Sequence, residues 1–329
     1  MLCLGIESTA HTLGIGICKL QKSGISILAN AKKMYKSPPG QGIIPRLAAQ
    51  HHADAFEEVL HEALSTANVR LSEIDLFSFS RGPGIGQCLR ISCAAAKFLA
   101  SKFKKPILGI NHCHAHLEIS KGLLKMRDPL FVYVSGANTQ LIIDAKAAKA
   151  HSRFLVLGET LDMGLGNLLD SFAREAKLQN PHGSEVAKLA QSGKYFPLPY
   201  TVKGMNFAFA GLFTAAVKSL GRQKTQDICR SLLETAFAEI CEAAERALCL
   251  YSKKEVTACG GVAQNTMLCR MLSEMCRLHK ARFGAVEPQY NADNGAMIAY
   301  TALKEWQKGK REKLSDLKPD GYWRIDQVF

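Results

Sequence analysis

The hydrophobic pattern of this chain runs through one order of secondary structure and then repeats it. Short apolar runs at 2–6, 13–19 and 25–31 are separated by small or polar turns, which predicts three strands. Over 43–66, Phe56, Val59, Leu60, Ala63 and Leu64 recur at helical spacing, which predicts a helix. A strand at 76–80, a helix at 88–102, a strand at 107–110 and a helix from 112 complete a β-β-β-α-β-α-β-α unit. Strands at 129–134, 139–144 and 153–157 and a helix near 162–178 begin it again. After an insertion come a helix at 227–251, a strand at 255–259, a helix at 264–279, a strand at 282–286 and a helix at 292–307.

This duplicated unit resembles the actin-like, or sugar-kinase/heat-shock-protein, ATPase superfamily. The expected fold is therefore α/β, with two such domains around a cleft where a ligand would bind. The expected domains are 1–127, 128–300 with a helical insertion, and a basic C-terminal tail, 301–329, packing back on the first domain.

With 47% hydrophobic and 22% charged residues, the chain is neither disordered nor a coiled coil. The net charge of +13 favours a polyanionic partner, with nucleic acid first and a merely solvated basic surface as the alternative. Lysine-rich candidates are Lys32, Lys33 and Lys36, then Lys102, Lys104 and Lys105, and the tail from Lys304 to Lys313. The eleven cysteines contain no C-x-x-C pair, so zinc ribbons and thioredoxin-like chemistry find no support. Most, including Cys93, Cys241 and Cys249, sit in apolar stretches and read as small hydrophobes suited to a reducing cytosol. The first residues lack a signal-peptide pattern and no apolar run reaches ~18 residues. A soluble cytoplasmic protein with no membrane contact is expected.

The turns after the first strand of each half are polar, Glu7–Thr12 and Ser135–Asn138. Either they are ordinary hairpin turns, or they cradle phosphate, with Ser8, Thr9 and His11 as candidate contacts. Asn111-His112-Cys113-His114-Ala115-His116 follows an apolar strand, and Asn111 suits a helix N-cap. His112 and His116 are four apart and share one helical face, so they can share one metal ion, whereas His114 points elsewhere. Cys113 stands where a zinc protease needs its general-base Glu, which disfavours proteolysis. Arg81–Gly86 is Gly-rich at the wrong spacing for a dinucleotide fold. Cys259–Asn265 ends a strand and opens a helix, a place for a nucleotide. Asn291–Ala296 opens the last main helix, where Asp293 is either a helix-dipole carboxylate or a ligand.

Together the motifs G-I-E-S-T-A-H-T from Gly5, G-P-G-I-G-Q-C-L-R from Gly82, N-H-C-H-A-H from Asn111 and Y-V-S-G-A-N-T-Q from Tyr133 are similar to one family. So are G-E-T-L-D-M-G-L-G-N-L-L-D from Gly158, G-G-V-A-Q-N from Gly260 and D-N-G-A-M-I-A from Asp293. The chain resembles the universal tRNA threonylcarbamoyltransferases of the archaeal/eukaryotic type, the catalytic subunit of the KEOPS complex, once called kinase-associated endopeptidase. The resemblance implies an actin-like fold and one metal per chain, Fe2+ with zinc as the alternative, on His112, His116, Tyr133 and Asp293. It implies that Tyr133, Val134, Ser135, Gly136, Ala137, Asp170, Gly183 and Asn265 bind threonylcarbamoyl-adenylate or ATP/ADP. The implied partners are tRNA, a separate small atypical kinase and the other KEOPS subunits. The chain departs from the family pattern at Pro181-His182-Gly183-Ser184 and at Ala187, where relatives place a Glu near the ribose.

The expected activity is metal-dependent transfer of threonylcarbamoyl from the adenylate to the exocyclic amine of the adenosine 3′-adjacent to the anticodon. No general base is identified. The alternative is a nucleotide-binding regulatory subunit without transferase activity, against which the retained His-His-Tyr-Asp set argues.

Overall fold

The computed structural model describes residues 1–38, 42–145 and 152–328. The chain forms two compact units, Met1–Ile119 with Ala292–Val328, and Ser120–Asn291.

The first unit is built on β1 (Leu2–Glu7), β2 (Thr12–Gln21), β3 (Gly24–Met34), β4 (Leu76–Gly82) and β5 (Ile107–Asn111), with α1 (Pro45–Ala67), α2 (Gly86–Phe103) and the start of α3 (His112–Leu123). The sheet order is β3-β2-β1-β4-β5. β1 runs antiparallel to β2 and parallel to β4, so it is a central strand and is buried along nearly its whole length. Alternate residues of a strand face opposite sides. Leu4 and Ile6 accordingly join Ala55 and Val59 of α1 and Ala96 and Leu99 of α2 in one apolar core.

The second unit repeats this topology. Its strands are β6 (Leu130–Val134), β7 (Thr139–Asp144), β8 (Phe154–Glu159), β11 (Glu255–Cys259) and β12 (Arg282–Ala285), in the order β12-β11-β6-β7-β8. Between β8 and β11 lie α4 (Leu165–Glu175), α5 (Gly183–Leu189), a small hairpin of β9 (Val202–Lys203) and β10 (Asn206–Phe207), α6 (Ala210–Lys218) and α7 (Thr225–Leu250). The long α7 threads the core, burying Ile228, Leu232, Phe237, Ile240 and Ala244. α8 (Thr266–Leu278) links β11 to β12, and the short α9 (Pro288–Asn291) ends the unit.

The last main helix, α10 (Gly295–Gln307), belongs to the first unit, although the sequence reading runs the second domain to 300. Glycine is the reason. Gly5 and Gly16 are cross-strand partners in β1 and β2, and they leave a flat patch on which α10 lies backbone to backbone. A Cβ at Gly16 would sit 2.1 Å from Ala296 N, and one at Gly5 2.3 Å from Ala299 N. The sequence boundary at 127 is likewise displaced, to Ile119–Ser120 inside α3. Beyond α10 the chain lies across the ends of β4 and β5. Asp320 N donates to Arg81 O (2.8 Å), Gly84 N to Gly321 O (3.2 Å) and Gly109 N to Glu312 Oε2 (2.8 Å). Among the described residues no helix is long and apolar enough to cross a membrane.

Candidate metal centre

β5 delivers the chain directly into α3. Asn111 Oδ1 accepts from His114 N (3.0 Å), capping the helix, while Asn111 Nδ2 donates to Trp323 O (2.9 Å) in the C-terminal segment. The first helical turn is thereby held from both sides. His112 and His116 project from the same face with ring centroids 4.8 Å apart and the rings edge-on. Both are buried.

Asp293 reaches them from the break between α9 and α10. Asn294 is the true N-cap of α10, accepting from Met297 N (2.9 Å), which leaves the Asp293 side chain outside the helix. Asp293 Oδ1 lies 3.3 Å from His116 Nε2 and 3.6 Å from His112 Nε2. The placement of α10 on the glycine patch of β1 and β2 brings Asp293 here. All three side chains therefore come from one unit.

Glu7, the last residue of β1, stands behind His112. It is fully buried; its Oε2 is 3.0 Å from His112 Nδ1, and its Oε1 accepts from Thr9 N (2.6 Å) and Thr9 Oγ1 (2.5 Å). A carboxylate can only accept, so Nδ1 carries a proton, and Nε2, which faces Asp293, is the nitrogen that a metal would take in exchange for its own proton. Burial by itself pushes the His112 imidazolium down, but the charge and hydrogen bond of Glu7, with Asp293, outweigh it and raise the group to about 9. Burial pushes His116 down, against the Asp293 hydrogen bond and with the repulsion of His112. For Asp293 burial works upward, but the His116 hydrogen bond and the neighbouring imidazoles hold it well below the usual carboxylate range.

The ligand atoms of His112, His116 and Asp293 all lie within 4.8 Å of one another. Metal–ligand bonds of ~2.0–2.2 Å fit a cluster of that size. Two imidazoles and one carboxylate are the donor set of open non-haem Fe(II) sites, and zinc takes it as well. A carboxylate on the outer nitrogen of a ligating histidine fixes its tautomer and strengthens it. Glu7 stands in that position relative to His112, and would act so with a metal on Nε2. In the sequence Glu7 reads as part of a polar turn; the signal it carries is an acidic residue closing an otherwise apolar strand, LCLGIE.

His114, as expected, points away, towards Glu118 (3.4 Å) and Glu305 (3.9 Å). Two of the candidate phosphate contacts are spent elsewhere. Ser8 is fully buried, its amide donating to Ser80 Oγ (3.1 Å) and its hydroxyl to Cys88 O (2.9 Å), and Thr9 is committed to Glu7. Both hold the turn together. His11 is half-buried.

The remaining candidates lie in the second unit. Tyr133 is 1% exposed on β6, followed by buried Val134 and by the turn of half-buried Ser135 and exposed Gly136 and Ala137. β11 runs parallel to β6 with Cys259 beside Tyr133, so the segment Gly260–Asn265 leaves the sheet next to that turn. Gly260 has φ +95°, and a Cβ there would meet Val134 O at 2.4 Å. Asn265 Oδ1 caps α8, accepting from Met267 N (2.9 Å). Asp170 of α4 accepts from Gly183 N (2.7 Å), which ties these two candidates to each other. Ala187 packs half-buried against the unit's core.

Known proteins agree with this architecture. A protein from Thermococcus kodakarensis described as a tRNA N6-adenosine threonylcarbamoyltransferase is 44% identical over 331 residues, covering 100% of this chain and 98% of its own. A probable bifunctional tRNA threonylcarbamoyladenosine biosynthesis protein of Methanococcus maripaludis is 44% identical over 330 residues, and the chain spans only 59% of that longer protein. Among solved structures, T. kodakarensis HypF superposes with a TM-score of 0.63 at 13% identity, covering 94% of this chain and 48% of its own. The (R)-2-hydroxyglutaryl-CoA dehydratase component A of Acidaminococcus fermentans does so at 0.59 and 16%, covering 93% and 98%. These two likenesses show the fold, a duplicated α/β actin-like one. The family pattern described as TsaD, tRNA N6-adenosine threonylcarbamoyltransferase, matches residues 25–300, and the chain belongs to that family.

Proposed function

We propose that the protein transfers threonylcarbamoyl from threonylcarbamoyl-adenylate to the exocyclic amine of the adenosine 3′-adjacent to the anticodon, as the catalytic subunit of a KEOPS-type complex. The observation that carries this reading is the cluster of His112, His116 and Asp293, with Glu7 behind it, in a chain of this family. His112, His116 and Asp293 would hold one Fe2+, or zinc, with Tyr133 as the fourth ligand that the resemblance implies. A divalent ion bound there supplies Lewis-acid polarisation and a template for the threonyl part.

The adenylate is already activated, since AMP leaves readily, so the protein's task is positioning and charge stabilisation. Glu7 accepts from His112 Nδ1, which leaves Nε2 as the nitrogen for the ion. The turn Ser135–Asn138 and the segment Gly260–Asn265, at adjoining strand ends, support nucleotide binding in the second unit. For tRNA phosphates the reading relies on Lys32, Lys36, Lys102, Lys104 and Lys313. Lys33, Lys105, Lys308 and Lys310 already face Glu58, Asp75, Glu305 and Glu312. A separate small kinase and the other complex subunits would be its partners in the cytoplasm.

Reconstituted with Fe2+, the protein should hold one ion per chain and modify tRNA when given threonylcarbamoyl-adenylate and its partner subunits. His112→Ala should lose both properties. A folded His112→Ala protein that keeps its transfer rate overturns the reading.

A further inference from the structure

Far along the chain from the metal cluster, the C-terminal ends of α7 and α8 bring together a cysteine, a histidine and a carboxylate. Cys249 Sγ lies 3.6 Å from His279 Nδ1, and His279 Nε2 lies 2.5 Å from Glu245 Oε1. Glu245 and Cys249 are four apart on α7 and share a face, and His279 is the C-cap residue of α8. Because the Glu245 carboxylate only accepts, the imidazole proton sits on Nε2 and the lone pair of Nδ1 faces the thiol. A nucleophile hydrogen-bonded to a base, with the base oriented by a third group, is the arrangement that activates thiols.

The thiol is also reachable. The sequence reading treats Cys249 as a small hydrophobe in an apolar stretch, yet among the cysteines, all of them within the described residues, it is the exposed one. Its sequence neighbour Leu250 is 67% exposed, and Leu278, beside His279, is 66% exposed, so this corner is open among the described residues. Cys241 and Cys269 are half-buried and the others buried.

We propose that Cys249 is a modification site that exchanges with low-molecular-weight disulfides, with His279 as the base and Glu245 as the residue that positions it. The Sγ–H proton passes to His279 Nδ1, and the thiolate attacks one sulfur of the small disulfide RSSR. Its S–S bond breaks as the Cys249–S–SR bond forms. The departing RS− takes the proton from His279 and leaves as RSH. Cys249 is oxidised to the mixed disulfide while half of RSSR is reduced to thiol, and a free thiol in excess reverses the step.

The test uses the full chain with oxidised glutathione as the probe, followed by intact-mass analysis and peptide mapping. One adduct per chain should form, map to Cys249, disappear with dithiothreitol and be missing from Cys249→Ser. At pH 7, where an ordinary exposed thiol is only slightly ionised, His279→Gln should slow adduct formation about tenfold. The deficit should close by pH 10, where solvent base ionises exposed thiols. Glu245→Gln, which keeps the imidazole but frees its tautomer, should slow the reaction by a smaller factor and guards against a misfolded His279 variant. An adduct on another cysteine, or unchanged pH 7 rates in both folded variants, overturns the proposal.

Discussion

Glu7 and His112 form one buried hydrogen-bonded pair, Oε2 to Nδ1 at 3.0 Å, joining the last residue of the first strand to the first residue of the histidine helix. That pair sets which nitrogen of His112 is left to bind. Glu7→Gln can present either an oxygen or an amide to Nδ1, so the tautomer is no longer enforced. Metal affinity should fall by about 10- to 100-fold, read by titrating metal-free protein with Fe2+ or Zn2+. Unchanged affinity would show that Glu7 serves only the turn it shares with Thr9.

Proton and metal compete for His112. In the metal-free protein its folded value is raised to about 9 from the ordinary ~6.5. The stability this gives is fully present below ~6.5 and is lost as pH rises through about 9. Binding must release that proton, so affinity should climb by about tenfold per pH unit from 7 to 9 and then flatten. Calorimetric titration at several pH values reads the slope, and a flat profile contradicts the coupling with Glu7.

The glycine patch under α10 should tolerate no side chain. A Cβ at Gly16 would be 2.1 Å from a backbone nitrogen, which cannot swing aside as a flexible side chain would. Gly16→Ala should therefore cost roughly 3 kcal/mol or more. It should also weaken metal binding by displacing Asp293. Gly211, exposed in α6 with nothing within 4 Å of an added Cβ, is the control. Gly211→Ala should be neutral or stabilise by up to ~1 kcal/mol through helix propensity. Urea melts of the two variants check both.

A pH-dependent weakness is expected in the second unit. Glu239 is fully buried on α7; one oxygen accepts from Thr201 N (2.9 Å), and the other has no partner among the described residues. Burial pushes its carboxyl up to about 7, with Asp162 and Glu242 adding to the shift and the Thr201 amide opposing it. Stability is full below the ordinary 4.5 and falls as pH rises to about 7, by at most roughly 3.5 kcal/mol at ~1.4 kcal/mol per pH unit. Glu239→Gln should flatten this dependence, so the variant gains on the wild type between pH 5 and pH 8. Parallel slopes for the two proteins would contradict it.

How far the sequence reveals this protein depends on the range of the interaction involved. The duplicated strand-and-helix order is readable because strand alternation and helical spacing are local. His112 and His116 are readable for the same reason, as an i, i+4 pair on one helix. The home of α10 is not local: Gly5 and Gly16 meet Ala296 and Ala299, which lie at the far end of the chain, and no pattern near the glycines names that partner. Glu7, Ser8 and Thr9 read as a polar turn, and only the fold shows that their polar groups serve one another, Ser80, Cys88 and His112. Cys249 sits in an apolar stretch, yet the end of α7 leaves it exposed.

The most direct measurement is nucleoside analysis of tRNA incubated with threonylcarbamoyl-adenylate, the partner subunits and either the wild type or Asp293→Ala, with metal content determined on the same samples. The account predicts threonylcarbamoyladenosine at the position 3′ of the anticodon with the wild type and one metal per chain. It predicts loss of both with Asp293→Ala while the fold persists. Undiminished modified nucleoside from a folded, metal-free Asp293→Ala protein would contradict it.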